Sequence, residues 1–209
     1  DEDIAGDIYI GGGESEAMRL VAQAAHILQK RYPNIHYHLY SGNADDVGER
    51  LDKGLLDFGI LIEPFDRKKY DSLRLPVRER WGVLMRKDSP LADCDYITPD
   101  DLKDKPLLHS RQSKVQDGIQ AWFGYDIEEL NIVGTYNLLY NASLMVEEGV
   151  CYALCLDKLI NTTGDSNLCF RPLINQMTAG IDLVWKKYQV FSKAADKFLE
   201  IMREQMIPH

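Results

Sequence analysis

Apolar and polar positions along the chain follow two rhythms, one of period two and one near 3.6, and the changes between them predict its elements. Ile8 to Ile10, flanked by glycines, reads as a first strand. Ser15 stands where it can cap a helix whose apolar positions Ala17, Leu20, Val21, Ala24, Ile27 and Leu28 keep helical spacing until Tyr32-Pro33 ends it. Ile35 to Tyr40 alternates as a second strand. Asn43 then caps a short helix with Asp45 and Asp46 in its first turn, and Gly54 closes it. Leu56 to Ile62 is a buried third strand. Strands separated by helices imply parallel pairing through right-handed crossovers.

The same order returns in the second half. Leu107-Leu108 is a short strand, Val115 to Phe123 is helical and Ile132 to Thr135 is a strand. Asn137 caps a helix that runs to Glu148 and stops at Gly149, and Val150 to Leu156 follows as another buried strand. Arg80 to Arg86 and Gly180 to Lys186 are further strands, each with a tryptophan, and the simplest topology has both crossing between the halves. Ser192 caps a closing helix with Phe198, Leu199, Met202 and Met206 on one face, which can pack back on the first half. The pattern predicts an α/β fold of two Rossmann-like lobes joined by a two-strand hinge. One lobe comprises residues 1–80 with 184–209, the other residues 81–183.

Composition narrows the function classes. Over 209 residues, a 45% hydrophobic fraction with 27% charged residues is that of a globular protein with a real core. The 33 acidic against 24 basic residues give a formal charge of −9, the wrong sign for a surface that neutralises phosphates. No apolar run approaches a bilayer span, and the acidic opening Asp1-Glu-Asp3 is unlike a signal peptide, so no membrane partner is expected. A start so near the first strand suggests a piece of a longer chain. Cys94, Cys151, Cys155 and Cys169 show no metal-ligand spacing and read as buried, reduced thiols, with a redox role for Cys151 and Cys155, which could share one strand face, left open. His36 and His38 share a strand face without a third ligand nearby, so neither a metal nor another cofactor is expected. No Ser/His/Asp arrangement, phosphate loop or HExxH motif is present, and no catalytic residue can be nominated.

Two loops carry the candidate chemistry. Gly6-Asp-Ile-Tyr-Ile-Gly-Gly-Gly-Glu-Ser15 leaves a strand through glycines, which makes Gly13, Glu14 and Ser15 candidate ligand contacts, although Ser15 would serve as a cap in any helix. Lys105-Pro-Leu-Leu-His-Ser-Arg-Gln-Ser113 repeats the plan, and Ser110, Arg111, Gln112 and Ser113 supply one cation and several donors, as an ordinary polar turn also would. In α/β folds such loops lie at the carboxyl ends of strands, where ligands bind. Glu63, ending the strand from Leu56, would disfavour an anionic ligand, pair with a ligand amine, or pair with Arg111.

Gly6 to Gly11, Tyr32-Pro33-Asn-Ile, Gly54 to Ile60, Asp88-Ser-Pro-Leu-Ala92, Asp101-Leu102, Glu148-Gly-Val150 and Leu183 to Lys187 come in an order that resembles the effector-binding domain of bacterial LysR-type transcriptional regulators, over essentially the whole chain. That resemblance implies a fold like type II periplasmic binding proteins, a cytoplasmic location and no enzymatic activity. It implies a small effector, an organic acid or an amino-acid-like metabolite, held between the lobes, and places Asn137 on a cleft-facing loop. It also implies a homodimer in which the helix starting at Ser15 meets the partner's helix starting at Asn137. DNA would be bound only through a winged helix-turn-helix domain ahead of this region, which these residues do not contain. The alternative is a solute-binding protein of a transporter.

Overall fold

Among the described residues, 3–175 and 177–206 of a computed structural model, the chain forms nine strands and six helices. In order they are β1 (Gly6–Gly12), α1 (Met18–Arg31), β2 (Ile35–Ser41), α2 (Ala44–Asp52), β3 (Phe58–Ile62), β4 (Tyr70–Arg86), α3 (Pro99–Leu102) and β5 (Leu107–Ser110). There follow α4 (Val115–Phe123), β6 (Ile132–Tyr136), α5 (Leu139–Glu147), β7 (Tyr152–Leu156), β8 (Leu168–Pro172), β9 (Thr178–Lys186) and α6 (Lys193–Gln205). The chain divides into two units. One runs to Val77 and resumes at Gly180, and the other spans Arg78 to Ala179, so β4 and β9 are the strands that cross the division. The expected crossings at 80/81 and 183/184 lie within the same two strands.

In the first unit β1 pairs in parallel with β2 and β3, and β3 pairs antiparallel with β9. Period two then sorts the side chains: Phe58, Ile60 and Leu183 pack on one face with Val21, Leu28, Phe198 and Met202 of α1 and α6, while Leu61 and Val184 pack on the other with Val47 and Leu51 of α2. Burial on both faces is why β3 reads Phe-Gly-Ile-Leu-Ile with no polar position. Asn43 caps α2 as expected, in a reciprocal box with Asp46. Ser192 caps α6 through the Ala195 amide.

The second unit repeats the plan. β5 pairs in parallel with β6 and β7, and β7 pairs antiparallel with the far half of β4, which carries β8 on its other edge. Val83, Met85 and Leu154 pack with Val115, Ile119 and Phe123 of α4, and Leu84, Ala153 and Cys155 with Leu139, Ala142 and Val146 of α5.

Several local expectations are corrected. α1 begins at Met18, not at Ser15, because the amides of Met18, Arg19 and Leu20 first make tight bonds to the carbonyls of Ser15, Glu16 and Ala17 before the α-ladder starts. α5 begins at Leu139, not at Asn137. The extended backbone of Leu138 (φ −127°, ψ 146°) takes the capping position, and no side chain caps this helix. β4 reaches ten residues further back than Arg80, to Tyr70, since Leu73, Leu75 and Val77 alternate with Arg74, Pro76 and Arg78, which hid the strand. Cys151 precedes β7 rather than lying on it, yet it shares a core cluster with Cys155. All four cysteines are free, with Cys94 half-buried and the others buried.

Candidate functional site

The two strand-exit loops are built alike. After β1, the Gly13 amide donates to the Ile60 carbonyl at 3.4 Å, and the Ser15 hydroxyl accepts from the Ala17 amide at 3.2 Å. Within the described residues the amides of Glu14, Ser15 and Glu16 make no hydrogen bond, and the Ser15 hydroxyl keeps its proton to donate. The preceding glycines have a packing cause: a Cβ on Gly11 would overlap the Leu56 side chain, and one on Gly13 would come within 3.1 Å of Ile62. Glu14 is exposed and Ser15 half-buried.

After β5, the Ser110 hydroxyl accepts from the Gln112 amide, again at 3.2 Å and two residues on, and the Arg111 amide donates to the Tyr136 carbonyl at 2.9 Å. Each serine thus closes the same side-chain turn at the exit of the first strand of its unit. Gln112 is buried, whereas Arg111 and Ser113 are exposed. The Arg111 guanidinium makes no ion pair or hydrogen bond to a described residue. His109, beneath the loop, is buried and donates Nδ1–H to the Ser110 carbonyl at 2.8 Å. Asn137 is exposed at the exit of β6. Beside it, Tyr136 donates its hydroxyl to the Leu154 carbonyl at 2.6 Å, and burial holds that phenol well above its usual pKa.

Glu63, immediately after β3, has a partner the sequence did not suggest. Its Oε1 lies 2.9 Å from Nη1 of Arg74 on β4, so it pairs with that residue rather than with Arg111. Gly180 makes room for this pair, since a Cβ there would overlap both side chains. Arg74 Nε also stands 2.7 Å from Oδ1 of Asp182, within ion-pair range though out of line for a hydrogen bond, and Arg67 binds the other oxygen of Asp182. Asp182 is wholly buried, and two arginines offset its desolvation. The second unit has the counterpart: Asp157, immediately after β7, accepts from both Nε and Nη2 of Arg80 at 3.0 and 2.8 Å. Arg74, Arg80, Asp157 and Asp182 escaped the sequence reading, although a charged residue inside a buried period-two run was a signal for Asp182.

No group of three His, Cys, Asp or Glu side chains suited to a metal occurs among the described residues. What the loops offer is hydrogen-bond donors and, in Arg111, a guanidinium with no partner among the described residues.

Each of the two α/β units places hydrogen-bond donors at the exits of parallel strands. Comparison gives the family. Residues 1–207 match the LysR substrate binding domain. The chain is 25% identical over 95% of its length to the HTH-type transcriptional regulator YvbU of Bacillus subtilis, covering 67% of that protein. It is 24% identical over 95% of its length to the Hca operon transcriptional activator HcaR of Escherichia coli, covering 68% of it. The effector binding domain of QuiR in complex with shikimate superposes with a TM-score of 0.81 at 16% identity, over 97% of this chain and 98% of that one. The chain belongs to the LysR substrate-binding-domain family, with the type II periplasmic-binding-protein-like fold of a ligand-sensing regulatory domain. Its relatives are transcriptional regulators rather than enzymes or transporter components, and it spans about two thirds of their length.

Proposed function

We propose that the two units are the regulatory lobes of a bacterial LysR-type transcriptional regulator. A small anionic effector, an organic acid or an amino-acid-like metabolite, is held by the loops that leave β1 and β5. Ser15, with the amides of Glu14 to Glu16, and Arg111, with Ser110 and Ser113, supply the donors, Gly13 lets the backbone approach, and Asn137 adds an amide. The paired serine turns together with the uncommitted Arg111 guanidinium carry this reading. Glu63 is neutralised by Arg74, so it does not repel a carboxylate. Effector binding biases the arrangement of the lobes and so controls a DNA-binding helix-turn-helix domain in the cytoplasm. Coupling of this kind is worth roughly 1–3 kcal/mol, a several-fold to hundredfold response.

The regulator acts as a homodimer through α1 and α5. α5 supports this by presenting Tyr140, Leu144 and Met145 to solvent at 63%, 44% and 45% exposure, a stripe at helical spacing on a helix whose other face is already buried in its own unit. No helix among the described residues is long and apolar enough to cross a membrane.

The test is a thermal-shift screen of hydroxy acids, keto acids and amino acids, shikimate included, followed by calorimetry on the hits. Ser15→Ala and Arg111→Gln are each expected to weaken a hit about tenfold, equivalent to 1.4 kcal/mol, with the melting temperature of the free protein nearly unchanged. A hit whose affinity neither substitution alters overturns the site. For the dimer, Leu144→Glu is expected to shift sedimentation from dimer to monomer, and an unchanged sedimentation coefficient overturns the interface.

A further inference from the structure

A further cavity has its whole lining in the second unit. Arg80 and Trp81 of β4, Tyr96, Pro172 and Leu173 at the end of β8, and Thr178 of β9 line a pocket of about 260 Å³. Drug-sized ligands fill roughly 300–1,000 Å³, so this cavity suits a molecule of one ring.

Several polar groups of its backbone are paired internally. The Leu173 amide donates to the Trp81 carbonyl at 3.0 Å, the Ile97 amide to the Pro172 carbonyl at 2.9 Å, and the Trp81 amide to the Met177 carbonyl at 2.8 Å. The lining side chains supply the rest of its surface. Trp81 is half-buried, Tyr96 is 52% exposed and Leu173 is buried, so the interior offers two aromatic rings, a proline ring and a leucine. An aromatic ring is the partner these surfaces favour, through stacked or edge-on contact.

The polar handles are few and of one sign. Asp157 engages Nε and Nη2 of Arg80, which fixes the guanidinium and leaves Nη1 with no partner among the described residues. Thr178 Oγ1 already accepts from Arg78 Nε at 3.0 Å, so its hydroxyl proton is directed to donate elsewhere. Arg80 is the one charged side chain among the lining residues, and Asp157 engages only its Nε and Nη2 edge. A held guanidinium edge and a hydroxyl donor at the mouth of an aromatic pocket match a carboxylate attached to a ring.

We propose that this pocket binds a small aromatic carboxylate, its ring against Trp81 and Tyr96 and its carboxylate on Arg80 Nη1 and Thr178 Oγ1. The site is independent of the effector loops described above. Because Arg80, Trp81 and Thr178 belong to the two strands that cross between the units, an occupant there touches the connections directly.

Phenylacetate is the probe, with phenylacetamide and cyclohexylacetate as controls, and amide chemical shifts of the intact chain are followed by NMR. Saturable shifts are expected at Arg80, Trp81, Tyr96, Leu173 and Thr178. Phenylacetate should bind at least about tenfold more tightly than either control. Tyr96→Ala should weaken phenylacetate about tenfold, and Arg80→Gln should remove its advantage over phenylacetamide. Ser15→Ala and Arg111→Gln should leave these shifts unchanged, which separates failure here from failure of the effector site. Shifts confined to residues 13–15 and 110–113, no saturation at millimolar probe, or an Arg80→Gln protein that still prefers the carboxylate would each overturn the proposal.

Discussion

The two units are two solutions to one plan. In each, a first strand lies between two parallel neighbours and the third strand is flanked by an antiparallel crossing strand, giving β2-β1-β3-β9 in one and β6-β5-β7-β4 in the other. Ser15 and Ser110 close the same turn, and Glu63 and Asp157 follow the third strand and bind an arginine of β4. Where the units differ, they differ in what they have committed. The first unit locks its charges into a chain, Glu63 to Arg74 to Asp182 to Arg67, around a wholly buried carboxylate. In the second, Arg111 has no partner among the described residues and Arg80 is tied at one edge only. Recognition chemistry can therefore reside in the second unit's cations, while the first contributes backbone and hydroxyl donors.

The cores differ as well, and that contrast predicts the largest effect. Phe58, at the centre of the first unit, contacts Trp185, Phe191 and Phe198 with ring centroids 5.0 to 6.3 Å apart. On β7 of the second unit, Leu154 packs in a cluster whose buried members are mostly aliphatic, with Phe123 the one buried aromatic among them. Phe58→Ala is expected to cost about 3–5 kcal/mol and Leu154→Ala about 2–5, with the aromatic site at the upper end. Urea unfolding of both variants measures this, and equal losses would mean that ring contacts add nothing to buried volume.

A smaller effect separates the acidic residues. Asp182→Ala leaves Arg67 and Arg74 without their shared partner, but both arginines are about two-fifths exposed and rehydrate, so the expected cost is about 2 kcal/mol rather than that of a fully buried pair. Asp157→Ala should cost about 1 kcal/mol or less, because half-exposed Arg80 returns to water. If Asp157→Ala proves the more damaging in denaturant titrations, the distinction between a locked and an open unit fails.

Next comes the position just before each third strand, Asp57 in one unit and Cys151 in the other. Burial raises the pKa of both, although for Asp57 the Tyr9 amide, bonded to its carboxylate at 2.9 Å, partly offsets this. A carboxyl whose folded pKa is raised contributes stability while protonated, at pH below its unfolded value, and that stability is lost as pH rises through the folded value. Asp57→Asn keeps an acceptor for Tyr9 and should melt slightly above the parent at pH 7, by less than about 1 kcal/mol of stability, the gap closing near pH 3. A gap of the same size at both pH values rules out ionisation as the cause. Cys151 in turn stays a thiol at neutral pH, and it should alkylate with iodoacetamide more slowly than half-buried Cys94. Equal rates would show that burial does not protect it.

Much of this was legible beforehand, for identifiable reasons. Strands buried on both faces, such as Phe58 to Ile62, carry an unbroken apolar run, and capped helices such as those after Asn43 and Ser192 carry their start signal in one residue. The N-terminal half of β4 was not legible, because exposed charges and Pro76 interrupt its alternation. Ser15 and Asn137 looked like caps because cap and loop chemistry use the same residue types, and only backbone geometry tells a turn from a helix start.

Period two, helical spacing and the order of short motifs are local properties, and they by themselves determined two α/β units, the strands that cross between them and the family. Ion pairs are not local. Arg67 meets Asp182 across 115 positions of chain and Arg80 meets Asp157 across 77, so which charges are locked and which stay available was decided only when the sheets brought distant strands into register.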